Sequence, residues 1–66
     1  MNELLFVVEE APEGGYTAKA VGSAIFTEAD TINELKEMVK DAVFCHFEDE
    51  ELPKQIRLQF FKEEVL

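Results

Sequence analysis

Sixty-six residues make room for one small domain, and a chain that is 47% hydrophobic and 32% charged has globular rather than disordered composition. Fifteen acids against six bases leave a net charge of −9, which argues against nucleic-acid binding and against docking on an anionic membrane, since both need clustered Lys and Arg. No apolar run approaches the ~20 residues of a membrane span, the Met1-Asn2-Glu3 start lacks the layout of a signal peptide, and the length excludes a large cofactor-dependent enzyme.

The expectation is a single cytoplasmic domain over 1–66 with no cofactor. Cys45 is the lone cysteine, so no internal disulfide forms, and no Cys/His spacing matches a zinc site. A chain this short buries only about 60% of its unfolded surface. Without a disulfide or a metal, self-association is the remaining stabiliser, and composition therefore predicts an oligomer.

The first predicted element is Glu3-Leu4-Leu5-Phe6-Val7-Val8-Glu9-Glu10, whose run of five apolar residues reads as a strand buried on both faces and central in its sheet. Pro12-Glu13-Gly14-Gly15 is a turn. A second strand runs from Tyr16 to Val21, with Tyr16, Ala18 and Ala20 on one face and Thr17, Lys19 and Val21 on the other. Gly22-Ser23 reads as a two-residue type II′ hairpin turn into a short third strand, Ala24 to Glu28.

Thr31-Ile32-Asn33-Glu34 is a capping box that opens a helix, with Asp30 as the competing N-cap. Ile32, Leu35, Val39, Ala42, Val43 and His46 fall in one apolar stripe about 100° wide. Glu37 and Lys40 are spaced to pair on the outer surface. The helix is predicted to end near Phe47, ahead of the acidic run Glu48-Asp49-Glu50-Glu51 and of Pro53, which blocks continuation. Gln55 to Lys62 alternates as a fourth strand, with Ile56, Leu58 and Phe60 opposite Arg57, Gln59 and Phe61.

The order is β-β-β-α-β. A fourth strand reached through a helix lies most simply parallel to the first and beside it. The predicted fold is therefore α+β: a four-stranded mixed sheet of order 3-2-1-4 with one helix on one face.

In this arrangement the chain resembles the HicB-like antitoxin family. The resemblance rests on the apolar strand running into Glu9-Glu10, then Glu13-Gly14-Gly15-Tyr16, Asp30-Thr31-Ile32-Asn33-Glu34-Leu35 and Lys40-Asp41-Ala42-Val43. It covers roughly residues 3–62. It implies a truncated ribonuclease-H-like unit of the short, stand-alone kind, without a DNA-binding domain. Many family members carry a Pro/Gly/Cys-rich loop between the second and third strands, where this chain has only Val21-Gly22-Ser23-Ala24. The partner implied is a small basic HicA-like toxin that cleaves RNA.

A ribonuclease-H-like fold raises the question of nuclease chemistry, which needs several inward carboxylates around paired metals. The middle of the first strand, Leu5-Phe6-Val7, has no acid, and Glu34 and Glu37 lack evident partners. No catalytic, cofactor-binding or metal-binding residue is assigned. Cys45 and His46 are adjacent on a helix and point about 100° apart. Cys45 is expected to be a small half-buried hydrophobe, and His46 a core-edge side chain bonded to a carbonyl.

Leu5, Val7, Val21, Ile25 and Phe61 are expected on the sheet face that the helix leaves uncovered, with Phe44 on the outer side of the helix. These six are the candidate interface. The leading expectation is a non-enzymatic interaction protein that covers a basic toxin. The alternatives are a homo-oligomeric regulatory or structural module without a toxin partner, as a homodimer or dimer of dimers, and a degenerate ribonuclease-H-like hydrolase. Self-association through the uncovered face has a rival geometry, pairing along the edge of the third or fourth strand.

Overall fold

The most apolar stretch of the chain takes the centre of the sheet. In the computed structural model, which describes residues 2–61, β1 (Glu3–Glu10) lies between β2 (Tyr16–Ala20) and β4 (Gln55–Phe61), and β3 (Phe26–Ala29) flanks β2. The order is β3-β2-β1-β4, antiparallel from β1 to β2 to β3 and parallel from β1 to β4. Between β3 and β4 come α1 (Ile32–His46) and a short 3-10 turn, Asp49–Glu51. Fold class and strand order are those that the sequence predicts. Lys62, the last residue of the predicted fourth strand, lies outside the described residues.

Local chemistry explains each connection. After β1 the amide of Ala11 donates to the carbonyl of Gly15 at 3.0 Å, and that of Gly14 to Ala11 at 3.0 Å. Gly15 sits at φ +82°, and a Cβ there would stand 2.9 Å from the Ala29 carbonyl oxygen. Glycine is therefore required at the point where this turn closes against the end of β3. At the second turn the ladder closes one pair earlier than expected: Ala20 N–H bonds the Ile25 carbonyl at 3.0 Å, and Val21 turns its own N–H to Leu5 at 2.9 Å. β3 accordingly spans Phe26–Ala29 rather than 24–28.

The Thr31 hydroxyl accepts from the Glu34 amide at 3.1 Å, so Thr31 rather than Asp30 is the N-cap. The helix ends at His46, with Phe47 N–H bonded to the Val43 carbonyl at 3.0 Å. β4 is seated by the Asn2 carbonyl, which accepts from the amides of both Lys54 and Gln55 at 3.1 Å. Glu37 and Lys40 pair at 3.7 Å, as their spacing predicts.

The core lies between the sheet and α1. Leu4, Phe6 and Val8 of β1, Ala18 and Ala20 of β2, and Ile25 meet Leu35, Val39 and Val43 of the helix. The alternation along β1 is two-sided but unequal. Leu4, Phe6 and Val8 are buried, while Leu5 and Val7, facing away from the helix, are half-buried.

Candidate interaction surface

Strand pairing fixes which side chains share a face. Phe6 stands opposite Ala20, and Ala20 is bonded to Ile25. Ile25 therefore lies on the helix side of the sheet. At 5% exposure it belongs to the core, which corrects its placement among the candidate interface residues. The physical reason is that cross-strand neighbours point the same way. The residue on the open face is its neighbour Phe26, opposite Lys19 and 60% exposed, which the sequence reading missed. The signal was available in the register that the Gly22-Ser23 turn imposes.

The other candidates divide between the open face of the sheet and the helix. Leu5, Val7 and Val21 share the open face with Phe61, which is 52% exposed and stands beside Glu9. Half-buried Leu5 and Val7 form its centre, Phe26 and Phe61 sit on opposite outer strands, and Glu3, Glu9, Glu28, Lys19 and Arg57 intervene. Arg57 Nε bonds Glu3 Oε1 at 3.2 Å, tying β4 to β1 across this face. Phe44 is exposed on the outer surface of α1, away from both faces of the sheet.

A second apolar surface lies on the helix side and was not expected. α1 packs mainly against β3 and β2. Ile56 and Leu58 are half-buried beside Leu4 and Phe6, and Phe60, opposite buried Val8, is 58% exposed. With Val39 and the side chains of Lys36 and Lys40 they line an open groove of about 350 Å³ between helix and strand.

Two expectations about the helix end are corrected. Cys45 and His46 are both exposed, because α1 leans on β3 and β2 with Leu35, Val39 and Val43 and turns its last residues to solvent. The His46 ring meets the Phe47 ring edge-on at 4.9 Å instead of sitting at the core edge. The acids do not converge as nuclease chemistry needs: Glu9 is on the open face, and Glu34 and Glu37 are on α1 on the other side. Among the described residues there is no group of three or more His, Cys, Asp or Glu able to hold a metal ion, and no helix long and apolar enough to cross a membrane.

No family model matches the chain, and no solved structure matches it. Two curated proteins do. A UPF0150 protein of Archaeoglobus fulgidus is 61% identical over 54 residues, covering 82% of this chain and 80% of that protein. A UPF0150 protein of Thermotoga maritima is 48% identical over 62 residues, covering 94% of this chain and 87% of that protein. Identity of this order over most of both partners leaves no room for a different fold or a chance match, and the chain belongs to the UPF0150 family.

Proposed function

We propose that the chain is a non-enzymatic protein-interaction module, similar to the partner-binding domain of a HicB-type antitoxin, that works in the cytoplasm by covering a small basic HicA-like toxin. The observation that supports this reading is the open face of the sheet. It carries Phe26, Phe61 and Val21 exposed around half-buried Leu5 and Val7, on a chain whose net charge is −9. Apolar anchors supply contact area, and the acidic field draws a cationic partner in and disfavours nucleic acid. A second reading, self-association without a toxin, is favoured by the uncovered apolar surface at β4.

Affinity purification from the native cell followed by mass spectrometry tests the leading reading. The expected partner is a small basic protein whose RNA cleavage stops when the chain is added back. Its capture should weaken from low to high salt and on Phe61→Asp. Recovery of the chain alone, or of a partner that binds equally at high salt, rejects the toxin-covering role. Incubation with RNA and RNA–DNA hybrids in Mg²⁺ or Mn²⁺ tests the absence of catalysis. Turnover abolished by Glu9→Ala or Glu34→Ala would overturn it.

A further inference from the structure

β4 and β3 are the two outer strands, and β4 lacks the devices that keep an edge from pairing. Such edges are ordinarily shortened, bulged, or furnished with charge or proline. β3 has four residues and runs directly into Asp30. β4 has seven, Gln55–Phe61, with no Pro, Gly, Asp or Glu among them. Its single charge, Arg57, is on the open face and engaged with Glu3. Among the described residues nothing pairs with its outer side.

Charge singles out the same strand. The chain holds fifteen Asp and Glu and a net charge of −9, so two copies repel one another over most of their surfaces. The seven residues of β4 contain none of those acids, and Lys54 precedes them. Lys36 and Lys40 border the groove beside it. An approach edge to edge along β4 sets no acidic side chain of the strand itself against another.

The strand is also complementary to itself. Antiparallel pairing about a two-fold axis at Leu58 sets Leu58 against Leu58 of the second copy and Ile56 against its Phe60, in both directions. These residues all lie on the helix side, where Ile56 and Leu58 are half-buried against the core and Phe60 is exposed. On the open face, Arg57 meets Gln59 of the second copy, so like charges do not face each other.

We propose that two copies associate through β4, forming one eight-stranded sheet of order 3-2-1-4-4-1-2-3 with both helices on the same side and a joint apolar floor of Ile56, Leu58 and Phe60. This deepens the self-association reading and rests on it, replacing the open face by the β4 edge as the contact. The open face stays free for another partner.

Sedimentation velocity at micromolar concentration, with circular dichroism to verify folding, provides the test. The wild-type chain should sediment as a dimer of the 7.5 kDa chain. Phe60→Glu should weaken association at least tenfold, and Phe26→Glu, on the other margin, should leave it unchanged. In a Cys45→Ser background, Leu58→Cys should form an intermolecular disulfide on mild oxidation, which requires Cα atoms within about 7 Å. A folded wild-type monomer overturns self-association as a whole. A dimer unchanged by Phe60→Glu, or one in which Leu58→Cys fails to cross-link, overturns the β4 contact alone. Cross-linking decides the matter even if Phe60→Glu does not fold.

Discussion

The two margins of the sheet are built from similar residues and end in opposite conditions. At the β3 margin, Ile25 and Thr27 are buried under α1. At the β4 margin, Ile56 and Leu58 are half-buried and Phe60 is exposed. Connection length accounts for the difference. Only Asp30 and Thr31 separate β3 from α1, which holds the start of the helix close to β3. The other end reaches β4 through the longer stretch from Phe47 to Lys54, which crosses to the far side of β1 without pulling the helix after it. A helix about 10 Å wide spans roughly two strands spaced about 4.8 Å apart. Four strands exceed its reach, and on the distal margin Phe60 is left exposed.

Paired substitutions sharpen this contrast most. Ile25→Ala should lower unfolding stability by about 2–4 kcal/mol, the usual cost of deleting a buried aliphatic side chain. Because that site is covered within one chain, the loss should not depend on protein concentration. Phe60→Ala should cost about 0.5 kcal/mol or less in dilute solution. Its cost should grow with concentration, as stability linked to association does. Urea denaturation followed by far-UV circular dichroism at two protein concentrations separates the two responses. Equal, concentration-independent losses would break the comparison.

Gly15→Ala probes the β3 margin from its other end. The turn after β1 presses Gly15 against the carbonyl of Ala29, the last residue of β3, and φ is +82°. An alanine there meets backbone strain and a backbone contact at once, and should destabilise by about 1–3 kcal/mol. Gly14→Ala is the control for strain alone, since φ is +102° there but a Cβ would meet nothing within 4 Å. The excess loss in Gly15→Ala measures how tightly the turn closes on β3.

What was legible in the sequence was local or followed from pairing. The Leu4–Val8 run placed β1 at the centre, the Thr31 cap started the helix at Ile32, and the alternation in β4 assigned its two faces. The faces of β2 were equally clear, and the register of its turn held enough to place Ile25 opposite Ala20. That step needs the pairing rule applied across the turn, not hydrophobicity, which is the same for Ile25 and Phe26. The position of α1 across the sheet was not legible. It depends on connection geometry, so the exposure of the last helical residues and the groove beside Phe60 could not be read from the apolar stripe alone. Cys45 and His46 show this: a helical stripe predicts which way a residue points, not whether a strand lies beneath it.

Phe44 provides the smallest expected effect and a check on the helix's outer surface. It is 63% exposed, and its position on α1 lies well away from Leu35, Val39 and Val43, which face the sheet. In an isolated chain Phe44→Ala removes no buried contact and replaces a residue of modest helix propensity by the best one, a gain of about 0.5 kcal/mol. The proposed β4-paired dimer would leave this surface outside its strand contact, so the same small gain should appear at both low and high protein concentration. Urea titrations at the two concentrations measure it directly. A loss exceeding about 1 kcal/mol that appears only at high concentration would mean that Phe44 is buried by another copy. The contact would then run over the outer side of α1, and the difference between the two margins of the sheet would not be what decides where copies meet.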